Sequence, residues 1–297
     1  MNDRLRLWNF PRRTFLAGAA GLLGGCATVP PKGDAKRLGL VDMTVMRELL
    51  IDYPATLGKV AGLGYSTFGF RLFGYAGPSP DEPPPHAKAA MVREAGLEVG
   101  AIRLSPRNAD YNRELDIAAE IGARLVVIST GAPFITGPKM FETTRDLFEA
   151  WLPQLAMVGE QARKRGLRLA YHNHPYDFAP LDGKRPFDLI ARNISPELVS
   201  FEIDLAWLWL AGIDILPFLR SLGRRVVTMH WKDIDRSRGT NRSDQAVALG
   251  QGEMGYSKLL PAILRVTDAT AYIEVDRPAD GIAAATAGVA MVRRVLS

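Results

Sequence analysis

The side chains with the clearest chemical potential are histidines and carboxylates that end predicted β-strands. The chain has four histidines: His86, His172, His174 and His230. His172 and His174 close the fifth predicted strand, Asp204 the sixth and His230 the seventh, and Glu274 lies near the end of the eighth. Alternate residues of a strand point to the same face, so His172 and His174 can face the same side. His86 follows three prolines and is interpreted as a surface residue at the start of a helix.

A metal site is the chemistry that this pattern favours. Neighbouring strands lie ~4.8 Å apart, so His172, Asp204, His230 and Glu274 can converge on one ion. Mixed imidazole and carboxylate ligands suit Mn²⁺, Co²⁺, Zn²⁺ or Fe²⁺ better than Ca²⁺. Any one of these residues alone is more often a hydrogen-bonded structural group, and Arg277 could pair with Glu274. Their joint occurrence on successive strand ends is what predicts the divalent metal.

Eight short β-type runs alternate with helical patterns from Lys36 onward. The predicted strands are Leu38–Asp42, Ser66–Leu72, Glu98–Leu104, Arg124–Ser129, Arg168–Asn173, Leu198–Asp204, Arg225–His230 and Ala271–Val275. The clearest predicted helices are Asp116–Ile121, Phe148–Arg165, Tyr256–Val266 and Ile282–Leu296. The alternation predicts an α/β fold, a (β/α)₈ TIM barrel. An open doubly wound sheet is the alternative, but the glycine-rich loop that it needs after the first strand is missing.

Three long irregular stretches follow predicted strands, at the end where barrel enzymes build their sites. They are Gly74–Pro85, Gly131–Pro138 and Trp231–Gly255. The last is polar and glycine-containing, and it is interpreted either as a lid over the site or as a surface loop.

The N-terminus has the pattern of an export signal. Arg12 and Arg13 precede an apolar stretch that is too short to span a bilayer, as in a twin-arginine signal. Cys26, the single cysteine of the chain, ends a segment that resembles a lipoprotein processing box. We therefore predict a signal at residues 1–26 with lipidation of Cys26 as one outcome, a linker at 27–36 and the barrel at 37–297. The protein is expected in the periplasm or anchored to a membrane as a bacterial lipoprotein.

Composition agrees with one globular domain after this leader. The chain has 297 residues, 47% of them hydrophobic, and (β/α)₈ barrels typically have ~250 residues. The net charge is +5, but four arginines lie within the first 25 residues against a single acid, Asp3. The basic character is therefore partly a property of the leader and does not indicate a nucleic-acid partner.

Five segments taken together resemble the sugar phosphate isomerase/epimerase family of the xylose-isomerase-like barrels. They are Tyr171–His174, Asp204–Trp207, His230–Asp233, Gly250–Glu253 and Ile273–Asp276. The resemblance covers the chain from about Lys36 to its end. It implies one divalent metal held by Asp204, His230 and Glu274, with His172 at a position where many relatives have Glu. Whether His172 or His174 is the fourth ligand stays open.

The resemblance weakens on the second and third strands. Relatives often carry Glu after the Gly-Tyr pair, where this chain has Ser66 and Thr67, and Arg103 stands where a His is common. These departures put the substrate contacts in question. They also motivate the alternative that the barrel binds carbohydrate without catalysis. A DNA-repair endonuclease of the related type is disfavoured because Trp207 replaces a ligand His three residues after Asp204.

The resemblance implies metal-assisted enolisation of a sugar, in which a base removes the proton next to a carbonyl. We expect an isomerase or epimerase acting on a free or oxidised sugar, with a keto-sugar or keto-glycoside lyase or dehydratase as the alternative. The candidates for proton transfer are His174, Glu274 and Lys232, although Lys232 would need a depressed pKa or would instead orient substrate or pair with Asp233. The candidate substrate contacts are Trp207, Trp231 and Arg103. Trp209 is a further aromatic residue, which could instead pack in the core. A homo-oligomer is a further expectation.

Overall fold

A computed structural model of the protein describes residues 38–74, 78–105 and 110–297. These residues fall within one compact unit, Ala35–Ser297. The predicted signal, the linker and Cys26 lie outside the described residues, so export and lipidation stay predictions. No helix in the described part of the chain is long and apolar enough to span a bilayer.

Eight parallel strands close into a barrel, as the sequence predicts. The barrel strands are β1 (Leu38–Val41), β2 (Thr67–Arg71), β3 (Glu98–Arg103), β4 (Leu125–Ile128), β5 (Arg168–His172), β6 (Ser200–Asp204), β7 (Val226–Trp231) and β10 (Thr270–Ile273). They follow one another around the barrel in chain order, and β10 closes it against β1. The register pairs His172 with Glu202 and Asp204 with His230. Consecutive strand ends therefore deliver their polar side chains to one place.

The helices surround this sheet and supply the crossovers. They are α1 (Met46–Ile51), α2 (Tyr53–Leu63), α3 (Pro85–Glu94), α4 (Asn112–Glu120), α5 (Pro133–Thr136), α6 (Arg145–Lys164), α7 (Pro186–Asn193), α8 (Leu205–Leu210), α9 (Ile215–Leu222), α10 (Arg242–Gln245), α11 (Tyr256–Val266) and α12 (Gly281–Leu296). Helix α6 begins three residues before its predicted start because the Thr144 hydroxyl caps it, accepting from Leu147 N. It ends before Gly166, whose φ of 73° suits a glycine cap.

The inside of the barrel is filled mainly by small side chains and one large ring. Tyr272 lies there with Val41, Ala101, Val127 and Ala170. Glycines on the first three strands leave the space for that ring, since a Cβ at Gly39 would lie 2.4 Å from it and one at Gly100 would lie 2.5 Å from its hydroxyl. The Tyr272 hydroxyl accepts a hydrogen bond from Ala101 N. The floor beneath the polar site is therefore packed.

The segment after β7 is an anchored loop. It contains a short antiparallel pair, β8 (Asp233–Ile234) with β9 (Ala246–Val247). The buried carboxylate of Asp233 accepts from the backbone N–H groups of Ile234, Gly250 and Met254, at 2.9 to 3.1 Å. Asp233 is thus committed to the loop and does not pair with Lys232.

Candidate metal and sugar site

The carboxyl ends of β5, β6, β7 and β10 bring the predicted metal ligands together. His172 Nε2 and His230 Nδ1 each lie 3.9 Å from Asp204 Oδ2. His230 Nδ1 lies 2.8 Å from Glu274 Oε2. All four side chains are buried. Strand alternation and register explain the convergence, because His172, Asp204 and His230 end neighbouring strands and point into the barrel.

Glu202 organises the two imidazoles from below. Its Oε1 atom accepts from His172 Nδ1 at 3.0 Å and lies 3.1 Å from His230 Nε2. Its Oε2 atom accepts from the Thr228 hydroxyl at 3.0 Å. One carboxylate thereby fixes both rings and turns His172 Nε2 and His230 Nδ1 toward Asp204 and Glu274. Carboxylates that hold the second nitrogen of a histidine ligand are a common feature of metal sites.

Arg103 balances the charge of Glu202. Both terminal guanidinium nitrogens donate to Glu202 Oε1, at 2.9 and 2.8 Å, and Nη2 also lies 2.6 Å from His230 Nε2. Arg103 is 5% exposed. The structure therefore places this predicted substrate contact beneath the ligand set, where it supports Glu202 and His230.

Lys232 is fully buried among three carboxylates. Its Nζ lies 3.0 Å from Asp204 Oδ2, 2.7 Å from Glu274 Oε2 and 2.8 Å from Asp276 Oδ2. It also lies 4.0 Å from the centre of the Trp207 ring. Burial opposes its charge, but the three acids prevail and raise the pKa of Lys232 well above its ordinary value. These contacts describe Lys232 as an ammonium held between carboxylates, and its candidacy as a base stays a prediction.

His172 and His230, the two histidines predicted as metal ligands, have opposite electrostatic surroundings. Burial lowers the pKa of His172 to about 4, only partly offset by the bond to Glu202. Burial also disfavours the charge on His230, but Glu202 and Glu274 outweigh it and raise its pKa to about 9. Burial raises the pKa of Asp204 to about 6 despite Lys232. His172 is therefore unprotonated at neutral pH and has a lone pair that could bind an ion. His230 carries a proton at neutral pH and would have to lose it when an ion binds.

The donor set fits a divalent metal ion. Asp204, His230 and Glu274 offer ligand atoms that all lie within 4.8 Å of one another. His172 groups instead with Glu202 and His230, and its Nε2 lies 3.9 Å from Asp204 Oδ2. The three residues Asp204, His230 and Glu274 therefore form the part of the predicted set that can hold an ion together, with His172 beside it. Lys232 contacts two of the predicted carboxylate ligands, Asp204 and Glu274. Its ammonium and a bound ion would therefore lie side by side.

Two three-residue groups in the described part of the chain could hold an ion: His172 with Glu202 and His230, and Asp204 with His230 and Glu274. His174 lies next to them and belongs to neither. Its ring centre is 4.9 Å from that of His172. Burial lowers the pKa of His174 well below its ordinary value, and His172 and Lys232 add to this. Its Nδ1 is buried and has no hydrogen-bond partner within the described part of the chain. The imidazole is therefore neutral at ordinary pH.

The three tryptophans do not share one role. Trp207 is 4% exposed, and its ring is covered by Lys232 and stacked near His174. Trp231 alternates with His230 on β7, so it points away from the barrel mouth into the core beneath the helices, where it is 2% exposed. Trp231 therefore has no exposed ring face on which a sugar could stack. Trp209 is half-buried and carries the Arg236 guanidinium 4.0 Å above its ring.

Three site residues were missed at the level of sequence: Glu202, Asp276 and Asp177. Glu202 and Asp276 each lie two residues from a predicted ligand, Asp204 and Glu274, so strand alternation was a signal for both. Asp177 is buried and accepts from the Tyr171 hydroxyl at 2.6 Å and from His174 N at 2.7 Å. It fixes the turn that carries His174.

Comparison with known proteins agrees with this architecture. A curated relative, inosose dehydratase from Lactiplantibacillus plantarum, is 34% identical over 80 residues, which are 27% of this chain and 26% of that protein. The chain therefore matches only about a quarter of that relative's length.

Two solved structures show the same fold at low identity. A sugar phosphate isomerase/epimerase from Parabacteroides distasonis superposes with a TM-score of 0.74 at 20% identity, covering 91% of this chain and 98% of that one. A probable 3-DHS dehydratase from Bacillus anthracis superposes with a TM-score of 0.66 at 14% identity, covering 86% and 98%. A sequence model of the family described as xylose isomerase-like TIM barrel matches residues 57–295. The chain belongs to the xylose isomerase-like TIM barrel family.

Proposed function

We propose that the protein is a divalent-metal-dependent enzyme that moves a proton next to the carbonyl of a free or oxidised sugar, as an isomerase or epimerase. The observation that carries the proposal is the Glu202 clamp. It turns His172 Nε2 and His230 Nδ1 toward Asp204 and Glu274, the geometry of a preorganised ligand set. The donor types favour Mn²⁺, Co²⁺, Zn²⁺ or Fe²⁺.

The chain's own residues supply the other parts of the reaction. A bound ion would polarise the sugar carbonyl and acidify the neighbouring C–H bond. His174 and Glu274 are the proton acceptors because both are unprotonated at neutral pH: burial keeps His174 neutral, and His230 and Lys232 outweigh burial and keep Glu274 ionised. Their lowered pKa values make both weak bases, so proton removal depends on how far the ion would acidify the C–H bond. Lys232 holds Asp204 and Glu274 in place and adds positive charge beside the developing oxyanion.

A lyase or dehydratase is the second candidate. The relative from Lactiplantibacillus plantarum is named a dehydratase, and elimination begins with the same proton removal. The two outcomes differ in whether a neighbouring oxygen leaves before the proton returns. Incubation of the metal-loaded protein with keto-sugars in D₂O separates them. Deuterium at the α-carbon of intact sugar supports isomerisation or epimerisation, and release of water or an aglycone supports elimination.

Metal analysis tests the shared part of both candidates. We expect about one equivalent of a transition metal in the purified protein, lost in Asp204→Ala and Glu274→Ala. Glu120→Gln is the matched control, since Glu120 is an exposed acid paired with His86 on the surface. Metal-free wild-type protein that nevertheless exchanges the sugar proton would overturn the metal requirement. Absence of both metal and exchange would favour a carbohydrate-binding barrel.

Export is proposed separately because it depends on the leader. Arg12, Arg13 and Cys26 carry the proposal, which makes the substrate an extracytoplasmic sugar or glycoside. Cell fractionation of the wild type, of the Arg12→Lys, Arg13→Lys double variant and of Cys26→Ala tests it. Retention of the double variant in the cytoplasm and release of Cys26→Ala from the membrane are the expected results. The same distribution for all three proteins would contradict it.

A further inference from the structure

A row of stacked rings leads from the rim of the barrel to the candidate site. Phe141 stacks on Tyr176 at 5.2 Å between ring centres, with 9° between the ring planes. Tyr176 stacks on His174 at 5.0 Å and 7°, and His174 faces Trp207 at 6.2 Å and 22°. The row therefore ends at the proton acceptor and at the ring that covers Lys232.

Phe141 is the exposed end of this row. It is 50% exposed, whereas Tyr176 and Trp207 are 8% and 4% exposed. It lies in the segment between β4 and α6, which follows the carboxyl end of a barrel strand, the end on which barrel sites are built. An aromatic surface is therefore presented to solvent at the rim and is connected by stacking to the site.

The backbone of Phe141 has a strained conformation that holds its ring at the rim. Its φ is 67°, in the left-handed region that bulky residues rarely adopt. Its N–H donates to the Phe134 carbonyl at 2.7 Å, and the stack on Tyr176 holds the ring. Tyr176 is itself held by a 2.9 Å hydrogen bond between its hydroxyl and that of Thr130. Strain that the surroundings impose on a residue is a feature of ligand clamps.

The spacing of the rings indicates what Phe141 would contact. Two stacking intervals separate it from His174, and one sugar ring is about as wide as one of them. A sugar that reacts at His174 would leave Phe141 beside the next group along the substrate. Tyr176 covers one face of the Phe141 ring, so the exposed half of the ring is the part that a neighbouring group can contact. This apolar surface suits an apolar or aromatic group, because such pairs gain both buried area and ring contacts.

We propose that Phe141 forms the wall of an outer subsite that binds an apolar, aromatic aglycone attached to the reacting sugar. This inference rests on the proposed function and narrows its oxidised-sugar substrates to keto-sugars that carry an aryl aglycone. Phe141 is a specificity residue in this scheme. The proton chemistry belongs to the inner residues His174 and Glu274.

The experiment compares the binding of methyl and phenyl 3-keto-β-D-glucosides to the metal-loaded protein by isothermal titration calorimetry. We expect the phenyl glycoside to bind roughly 2- to 10-fold more tightly than the methyl glycoside. Phe141→Ala should remove this preference, and Phe141→Tyr should keep it. Phe141→Asn distinguishes loss of the ring from strain in the backbone, because Asn tolerates the left-handed conformation but lacks the ring. It should lose the phenyl preference, as Phe141→Ala does.

Met140→Ala is the matched control. Met140 is equally exposed, at 51%, but it lines a groove on the outer layer between α4 and α6, so the phenyl preference should survive its removal. Equal affinities for the two glycosides, no binding of either, or a preference that survives in Phe141→Ala would overturn the subsite. The proposed function is read independently, from deuterium exchange into free 3-keto-glucose by the wild type, so the two failures are distinguishable.

Discussion

Lys232 is the residue on which the electrostatics of the site depend most. Its ammonium lies 2.7 to 3.0 Å from carboxylate oxygens of Asp204, Glu274 and Asp276. Removal of one member of a buried ion network leaves the others uncompensated, which typically costs ~3–5 kcal/mol. The protein can therefore hold its acidic site together before any ion binds.

Lys232→Met should accordingly destabilise the metal-free protein by about 3–5 kcal/mol at neutral pH. Urea unfolding in the presence of a chelator measures the effect. Lys59→Met, on the exposed side of α2, is the control and should change the free energy of unfolding by less than ~0.5 kcal/mol. A loss below about 1 kcal/mol for Lys232→Met would show that the carboxylates are relieved by other means, such as protonation.

Asp177 allows a second prediction at the residue scale. Its carboxyl accepts from the buried Tyr171 hydroxyl and from His174 N. Asp177→Ala leaves both donors without their acceptor, at a cost of ~1–3 kcal/mol each, so we expect a loss of about 2–5 kcal/mol in unfolding free energy. Asp188→Ala breaks only a half-exposed pair with Arg185 and should cost ~0–1 kcal/mol. Similar losses in the two variants would contradict a special role for Asp177.

Individual site residues were predictable where strand alternation alone decides their direction. Asp204, His230 and Glu274 lie at or near the ends of successive strands and come together as the pattern predicts, and His172 Nε2 approaches Asp204 Oδ2 at 3.9 Å. The partners of Lys232 were not predictable, because Asp233 is adjacent in sequence but points to the opposite side of the strand. The role of Arg103 depends on Glu202, which lies 99 residues away. Contacts across that sequence distance follow from barrel closure and not from any local pattern.

At the scale of elements, the sequence predicts strands and helices well and their ends less well. Helix α11 has the predicted bounds, Tyr256–Val266, because its apolar face is periodic throughout. Strand β4, predicted as Arg124–Ser129, covers only Leu125–Ile128, although the Arg124 carbonyl still accepts a hydrogen bond from Arg168 N on β5. The segment after β7 had two interpretations, a lid or a loose loop. Its anchoring depends on the burial of Asp233, which sequence does not reveal.

Asp233 makes the stability of that segment testable. Asp233→Ala removes the acceptor of three backbone N–H groups, from Ile234, Gly250 and Met254. The open form of the loop should become more populated, and trypsin should cleave at its exposed arginines about 10-fold faster or more. Asp244→Ala, an exposed acid of the same loop, is the control. Unchanged cleavage of Asp233→Ala would mean that the β8–β9 pair alone holds the loop closed.

For the whole molecule, barrel closure depends on how one ring fits the space left by glycines. The first three strands pass Tyr272 without side chains at Gly39, Gly69 and Gly100, and a Cβ at Gly39 would lie 2.4 Å from two ring atoms and 2.8 Å from Thr67. Such contacts cannot be relieved without moving a strand, because Gly39 pairs with Tyr272 in the ladder. Closure and the placement of the strand ends above are thus set by the same fit.

Gly39→Ala should therefore destabilise the protein by about 3 kcal/mol, at the upper end of overpacking costs. Tyr272→Ala removes Cδ1 and Cε1, the two ring atoms that a Cβ at position 39 would meet, and should itself be destabilising through the cavity it leaves. In the double variant the alanine at position 39 enters that space, so its cost should fall to about 1 kcal/mol or less, a coupling of roughly 2 kcal/mol. Urea denaturation of the four proteins measures the cycle. Additive losses would show that Tyr272 is not what excludes a side chain at position 39, and that the barrel adjusts its strands instead.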